Sequence, residues 1–147
     1  MNVDLITFRQ AVPGDADRIS ELCFQLGYEV LNENVLERIQ KIIVEDGTAL
    51  FVAVKDNLIV GWIQISVRSA IETGEIAEIT GLVVDEKVRG QGIGKDLVIK
   101  SEDWARVKGF NSIRVRTNII RTDTHFFYQG IGFEEKKKQT VFQKKIV

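Results

Sequence analysis

Between residues 83 and 98 the chain reads VVDEKVRGQGIGKDLV, with glycines at 90, 92 and 94 between Arg89 and Lys95. Glycine at every second position suits neither a strand nor a helix, because it has the most conformational freedom to lose. What this spacing supplies is bare backbone, placed where a hydrophobic run restarts at Ile93. Amide N–H groups that converge at a helix N-terminus hold an anion, phosphate above all. Two familiar phosphate loops do not fit. A G-x-x-x-x-G-K-[ST] loop needs one more residue between Gly90 and Gly94, and Asp96 stands where its hydroxyl belongs. A G-x-G-x-x-G fingerprint begun at Gly90 puts Lys95 in the third glycine place. The pattern [RQ]-x-x-G-x-[GA] is met by Arg89, Gly92 and Gly94, with Gly90, Gln91, Ile93 and Lys95 filling out the loop. On the residues alone, a tight strand-to-helix connection explains the stretch as well.

Such a loop needs a strand before it and an amphipathic helix after it. GEIAEITGLVVD reads as the strand. From Ile93 onward, Gly94, Leu97, Val98, Ser101, Trp104 and Ala105 share one arc opposite Lys95, Glu102, Asp103 and Arg106, while Ile99 and Val107 stray. NSIRVRTN comes next as another strand, which makes a crossover unit and hence a parallel pair.

Upstream, VDLITFRQA is a strand, and Pro13-Gly14-Asp15 turns into a helix carrying Ala16, Ile19, Leu22, Cys23 and Leu26 until Gly27. Phe24 lies off that arc. A second helix sets Val35, Leu36, Ile39, Ile42 and Ile43 on one face, and Asp56-Asn57 signals a hairpin between TALFVAVKD and LIVGWIQISV. DTHFFYQG is a short helix, and the tail IGFEEKKKQTVFQKKIV reads as two strands joined through its lysine run. The order β-α-α-β-β-β-α-β-α-β-β is a mixed α/β (α+β) class with about seven strands. The length of 147 residues fits one domain over 1–147.

The totals narrow the function. A formal charge of −1 argues against nucleic acid or a membrane surface as partner, since either would call for a basic footprint. One cysteine, Cys23, and one histidine, His125, give neither an internal disulfide nor a metal cluster. No apolar run approaches the ~20 residues of a membrane span, and the opening MNVDL has no signal-peptide pattern. A cytoplasmic protein is the expectation.

Several blocks, in order along the chain, resemble the GNAT superfamily of acyl-coenzyme A-dependent N-acyltransferases. FRQAVPGDADRISEL is similar to its first strand and helix, AEITGLVVDEKVRGQGIGKDLV to its fourth strand and pyrophosphate loop, and TNIIRTDTHFFYQGIGF to the end of its fifth strand and following helix. The "DTH" resembles the "DAH" of small-molecule members such as aminoalkylphosphonate acetyltransferases. The resemblance implies a mostly antiparallel sheet whose parallel fourth and fifth strands splay apart around acetyl-CoA, with coenzyme A as product. It places the diphosphate on residues 89–95 and the pantetheine arm on the backbone of Leu82, Val83 and Val84, where an N–H also serves the oxyanion. Asn118 is implied as a contact to the coenzyme or the reacting group. Tyr128 is implied to touch the coenzyme and to protonate the departing thiolate, although a core tyrosine beside Phe126, Phe127 and Phe133 is the plainer reading.

Glu78 matches the glutamate that some members use, often through water, to deprotonate the amine; a substrate contact or an exposed strand carboxylate is the alternative. Regular alternation would put Glu78, Thr80 and Leu82 on one face. His125 lies three residues before Tyr128, on nearly the same helical face, as a substrate contact, a catalytic base in place of Glu78, or a structural histidine. Phe24 and Tyr28, with Glu29 or Glu33 nearby, would wall an amine pocket or form a dimer contact. The implied activity is N-acetylation of a small primary amine by direct attack, with no metal. A peptide N-terminus or lysine is the alternative acceptor, and a non-catalytic acyl-CoA-binding module the alternative class. The resemblance also implies a homodimer.

Overall fold

The structure is a computed structural model describing residues 5–117 and 121–147, and it divides into two compact units, Met1–Val115 and Arg116–Val147. In the first unit, β1 (Ile6–Gln10) leads through a 3-10 turn at Pro13–Asp15 into α1 (Ala16–Phe24), which is followed by α2 (Asn32–Ile42). Strands β2 (Thr48–Lys55), β3 (Leu58–Ala70) and β4 (Gly74–Val84) come next, then α3 (Ile93–Val107) and β5 (Ile113–Val115). The second unit contains α4 (Thr122–Gly130). No described helix is long and apolar enough to cross a membrane.

The sheet runs β1-β2-β3-β4-β5, antiparallel throughout except for the parallel β4–β5 pair that the crossover demanded. Asp56 and Asn57 turn the β2–β3 hairpin with φ of 51° and 62°, left-handed values that asparagine and aspartate tolerate best after glycine. On one face, Ile19 and Leu22 of α1 and Val35 and Ile39 of α2 bury Leu50, Val52 and Val83. On the other, α3 comes close enough that a Cβ at Gly61 would stand 3.2 Å from Leu97. The helical arcs expected from the sequence hold, with Ile99 and Val107 exposed as strays; Ile43, at the C-cap of α2, is also exposed rather than on the buried face.

Among the described residues the sheet has five strands, not about seven. Residues 131–147 form no strand, and Val141, Phe142, Ile146 and Val147 stand exposed. A strand exists only where a neighbouring backbone takes up its amides and carbonyls. The tail's apolar residues come in isolated pairs among lysines, with too little apolar surface in any one place to offset the entropy of ordering it.

Strand β4 is irregular in two ways. Its ladder with β5 covers only Ala77–Ile79, so Thr80–Val84 has no β5 partner among the described residues. Gln64 faces Gly81 while Ile65 faces Ile79, which leaves Thr80 as the extra residue of a β-bulge.

Candidate functional site

The glycine loop starts where β4 ends. After a 3-10 turn at Glu86–Val88, Gly90 and Gly92 adopt φ of 82° and 80°, and Gly92 caps α3. The helix's opening bond runs from Asp96 N–H to Gly92 O at 3.0 Å, so the amides just before it have no intrahelical acceptor. A Cβ at Gly92 would meet nothing within 4 Å. Glycine is therefore required there by the left-handed backbone and not by protein packing, since the space a side chain would enter is open. Arg89, Gly90, Gln91, Gly92 and Lys95 are exposed, Gly94 is half-buried, and Ile93 is buried and roots the helix.

Arg89 Nε donates to the Val84 carbonyl at 3.3 Å. Lys55, at the end of β2, donates from Nζ to Gln91 Oε1 at 3.1 Å and brings another cation to the loop. Thirty-six residues separate Lys55 from Gln91, and only the fold joins them.

Leu82, Val83 and Val84 lie on the part of β4 that β5 does not cover. Val83 is buried in the helix-facing core, and its two neighbours are half-buried. Glu78 is buried, at 4% exposure, and not the exposed strand carboxylate that alternation allows. Arg68 Nη1 donates to its Oε2 at 2.9 Å. The bulge alters which residues share its face. Glu78 pairs with Ser66, Gly81 with Gln64 and Val83 with Trp62, so Glu78 sides with Gly81 and Val83 and not with Thr80 and Leu82. At Gly81 a Cβ would fall 2.6 Å from the Trp62 ring, so only glycine fits beneath it. On this face a groove of about 430 Å³ is lined by Arg38, Lys41 and Glu45 of the α2 region and by Thr48, Gln64 and Ser66 of the sheet.

Sequence reasoning misses Arg68, although the hairpin register offers a signal. Ala70 pairs with Gly74 across a three-residue turn, and counting back from there sets Arg68 diagonally opposite Glu78.

In the second unit, Tyr128 is buried on α4 between Phe127 and Phe133, in edge-on contacts of 5.0 and 5.2 Å between ring centroids. Burial pushes its phenol up to about 12, with Arg121 pulling weakly the other way. His125 is half-buried on the same helix, its backbone N–H donating to the Arg121 carbonyl at 3.2 Å. Asn118 lies outside the described residues. Back in the first unit, Phe24 ends α1 at 56% exposure and Tyr28 follows at 65%, while Cys23 beside them has its thiol pushed up by burial.

The family model described as "Acetyltransferase (GNAT) family" matches residues 16–133. The aminoglycoside N(6')-acetyltransferase type 1 of Stenotrophomonas maltophilia is 25% identical over 142 residues, which is 93% of this chain and 92% of that one. The aminoalkylphosphonate N-acetyltransferase of Salmonella typhimurium strain LT2 is 34% identical over 84 residues, 56% of this chain and 54% of the other. Among solved structures, the aminoglycoside N-acetyltransferase AAC(6')-Iy in complex with CoA superposes with a TM-score of 0.89 over 99% of this chain and 98% of its own. Its identity of 22% makes that a likeness of fold.

Proposed function

Because the chain belongs to the acetyltransferase (GNAT) family, we propose that it moves acetyl from acetyl-CoA to a small primary amine, which attacks the thioester directly. The carrying observation is the loop at the start of α3: left-handed Gly90 and Gly92 with open space at their side-chain positions, and the cations Arg89, Lys95 and Lys55 on or beside the loop. That surrounding suits a diphosphate. The stretch Thr80–Val84, which has no β5 partner among the described residues, would take the pantetheine arm on its backbone groups, one N–H serving the charge that develops on the carbonyl oxygen. The coenzyme supplies an activated acetyl thioester.

The protein's own residues must manage protons. A primary amine has a pKa near ~10, so about one molecule in a thousand is nucleophilic at pH 7. Glu78, held on one side by Arg68, is the group we assign to that proton. We assign Tyr128 to hydrogen-bond the departing sulfur. Cys23 packs against the core with a raised pKa, which does not suit it to carry the acyl group.

The acceptor follows from charge. The groove beside Ser66, the cross-strand partner of Glu78, is lined by two cations and one carboxylate and favours an amine that also bears an anionic group. Phe24 and Tyr28, near Glu29 and Glu33, would instead receive a cationic amine such as an aminoglycoside. Thiol release from acetyl-CoA should be followed with an aminoalkylphosphonate, an aminoglycoside, a polyamine and a lysine peptide. Turnover with the first supports the groove, and turnover with the second or third moves the acceptor to the aromatic segment. Turnover with the peptide alone rejects the small-molecule reading, and coenzyme binding without turnover rejects an enzyme.

A further inference from the structure

Three side chains join α1, or the residue just after it, to the turn that opens the glycine loop. Arg18 donates from Nε to the Ile59 carbonyl of β3 at 2.8 Å, from Nη1 to Glu21 Oε2 at 3.0 Å and from Nη2 to Asp85 Oδ2 at 2.7 Å. Asp85 is buried, and its Oδ1 accepts from Lys87 N–H at 3.1 Å and from Gln25 Nε2 at 3.2 Å. Gln25 Oε1 in turn accepts from Glu86 N–H at 2.9 Å. The backbone adds Asp85 N–H to Val60 O at 2.8 Å and Val88 N–H to Asp85 O at 3.0 Å.

We infer that Arg18, Gln25 and Asp85 are positioning residues for the coenzyme, fixing the turn Glu86–Val88 so that the amides beyond it are aimed before the diphosphate arrives. The inference rests on the proposed reading of residues 89–95.

A segment with three glycines in five positions has unusual backbone freedom, and freedom lost on binding subtracts from affinity. Such a loop is preorganised only if both ends are fixed. Buried Ile93 and α3 fix the far end. At the near end Glu86 and Lys87 are exposed and Val88 only half-buried, so little apolar packing is available. Side-chain bonds to Asp85 and to the Glu86 and Lys87 amides hold it instead. A buried carboxylate bonded to a guanidinium is sensitive to loss of either partner, because the remaining charge is left uncompensated. The bond from Arg18 spans 67 residues, so it locks the loop to a helix on which the loop's own sequence has no hold.

Asp85→Asn retains an oxygen for Lys87 N–H but sets an amide donor against Arg18, and Gln25→Leu deletes the Glu86 link. Each should raise the Kd for coenzyme A about tenfold, with kcat at saturating acetyl-CoA within about twofold and the acceptor KM unmoved. Hydrogen exchange at amides 86–95 should quicken in the free variants and return to the wild-type rate with coenzyme bound. Arg18→Lys, which keeps the charge but not the fork, should fall between. If these variants fold less stably yet bind coenzyme A and exchange at 86–95 as wild type does, the network is structural and the inference fails. Gly92→Asp separates the two claims. If it binds coenzyme A normally, the loop reading itself is wrong. If it loses binding while Asp85→Asn and Gln25→Leu keep theirs, only the positioning role falls.

Discussion

A phenol held near 12 keeps its proton against a thiolate whose ordinary pKa is about 8.5. In the role we propose for it, Tyr128 would therefore donate a hydrogen bond to the leaving sulfur and keep its own proton through the step. Tyr128→Phe leaves the ring among Phe127 and Phe133 and deletes only that donor. It should lower kcat by about 10²-fold or more with little change in acetyl-CoA affinity, measured by steady-state kinetics and calorimetry. Unaltered turnover would return Tyr128 to the core. Glu78 is tested by its pH profile. Glu78→Gln should lose most rate at low pH, where free amine is scarcest, and recover as pH rises toward the amine's own pKa. A loss of equal size at every pH would make Glu78 a structural partner of Arg68.

Among the elements, β4 contributes most to the proposed site and is the least legible from sequence. Its existence, its place before the glycine loop and its parallel pairing to β5 follow from the apolar run and the crossover. Thr80's bulge does not, because an inserted residue leaves no trace in an alternation where Ile79, Leu82, Val83 and Val84 are all apolar. The assignment of Glu78 to a face fails for that reason. Gly81 marks the spot in retrospect, since a glycine inside a strand pattern signals a bulge or a close approach, and here it signals both. Gly81→Ala would drive a methyl into the ring of Trp62, which packs against the helix-facing core. We expect a loss of about 1–3 kcal/mol in chemical denaturation together with a shift in tryptophan emission. An isoenergetic variant would mean that Trp62 has room to move. The glycine turn into α3 is readable because its backbone signal is local, whereas Lys55, Arg68 and Arg18 reach their partners only through tertiary structure.

At the scale of the first unit, two buried aspartates tie α1 to the rest, and both are acid-labile. Asp15 accepts a bidentate pair from Arg9 of β1 at 2.8 and 2.9 Å and a bond from Val12 N–H at 2.8 Å, while Asp85 holds Arg18 and the loop turn. Burial alone would raise both carboxyls, but the hydrogen bonds and the adjacent guanidinium more than offset it, so each lies below the usual aspartate range. A folded-state pKa below the unfolded one gives stability that is present above the unfolded value, about 3.9, and is lost as pH falls through the folded value. Denaturation free energy from this source should be flat from pH 7 to about 5 and then decline below about pH 4. Asp15→Asn should be destabilised relative to wild type at pH 7 and converge with it in acid, once pH has fallen through the folded-state value and wild-type Asp15 is itself protonated. Asp85→Asn should do the same, and with it the amides of 86–95 should lose protection in acid before those of the β2–β3 ladder. Equal destabilisation at both pH values would show that shape, and not charge, joins α1 to the sheet and the loop.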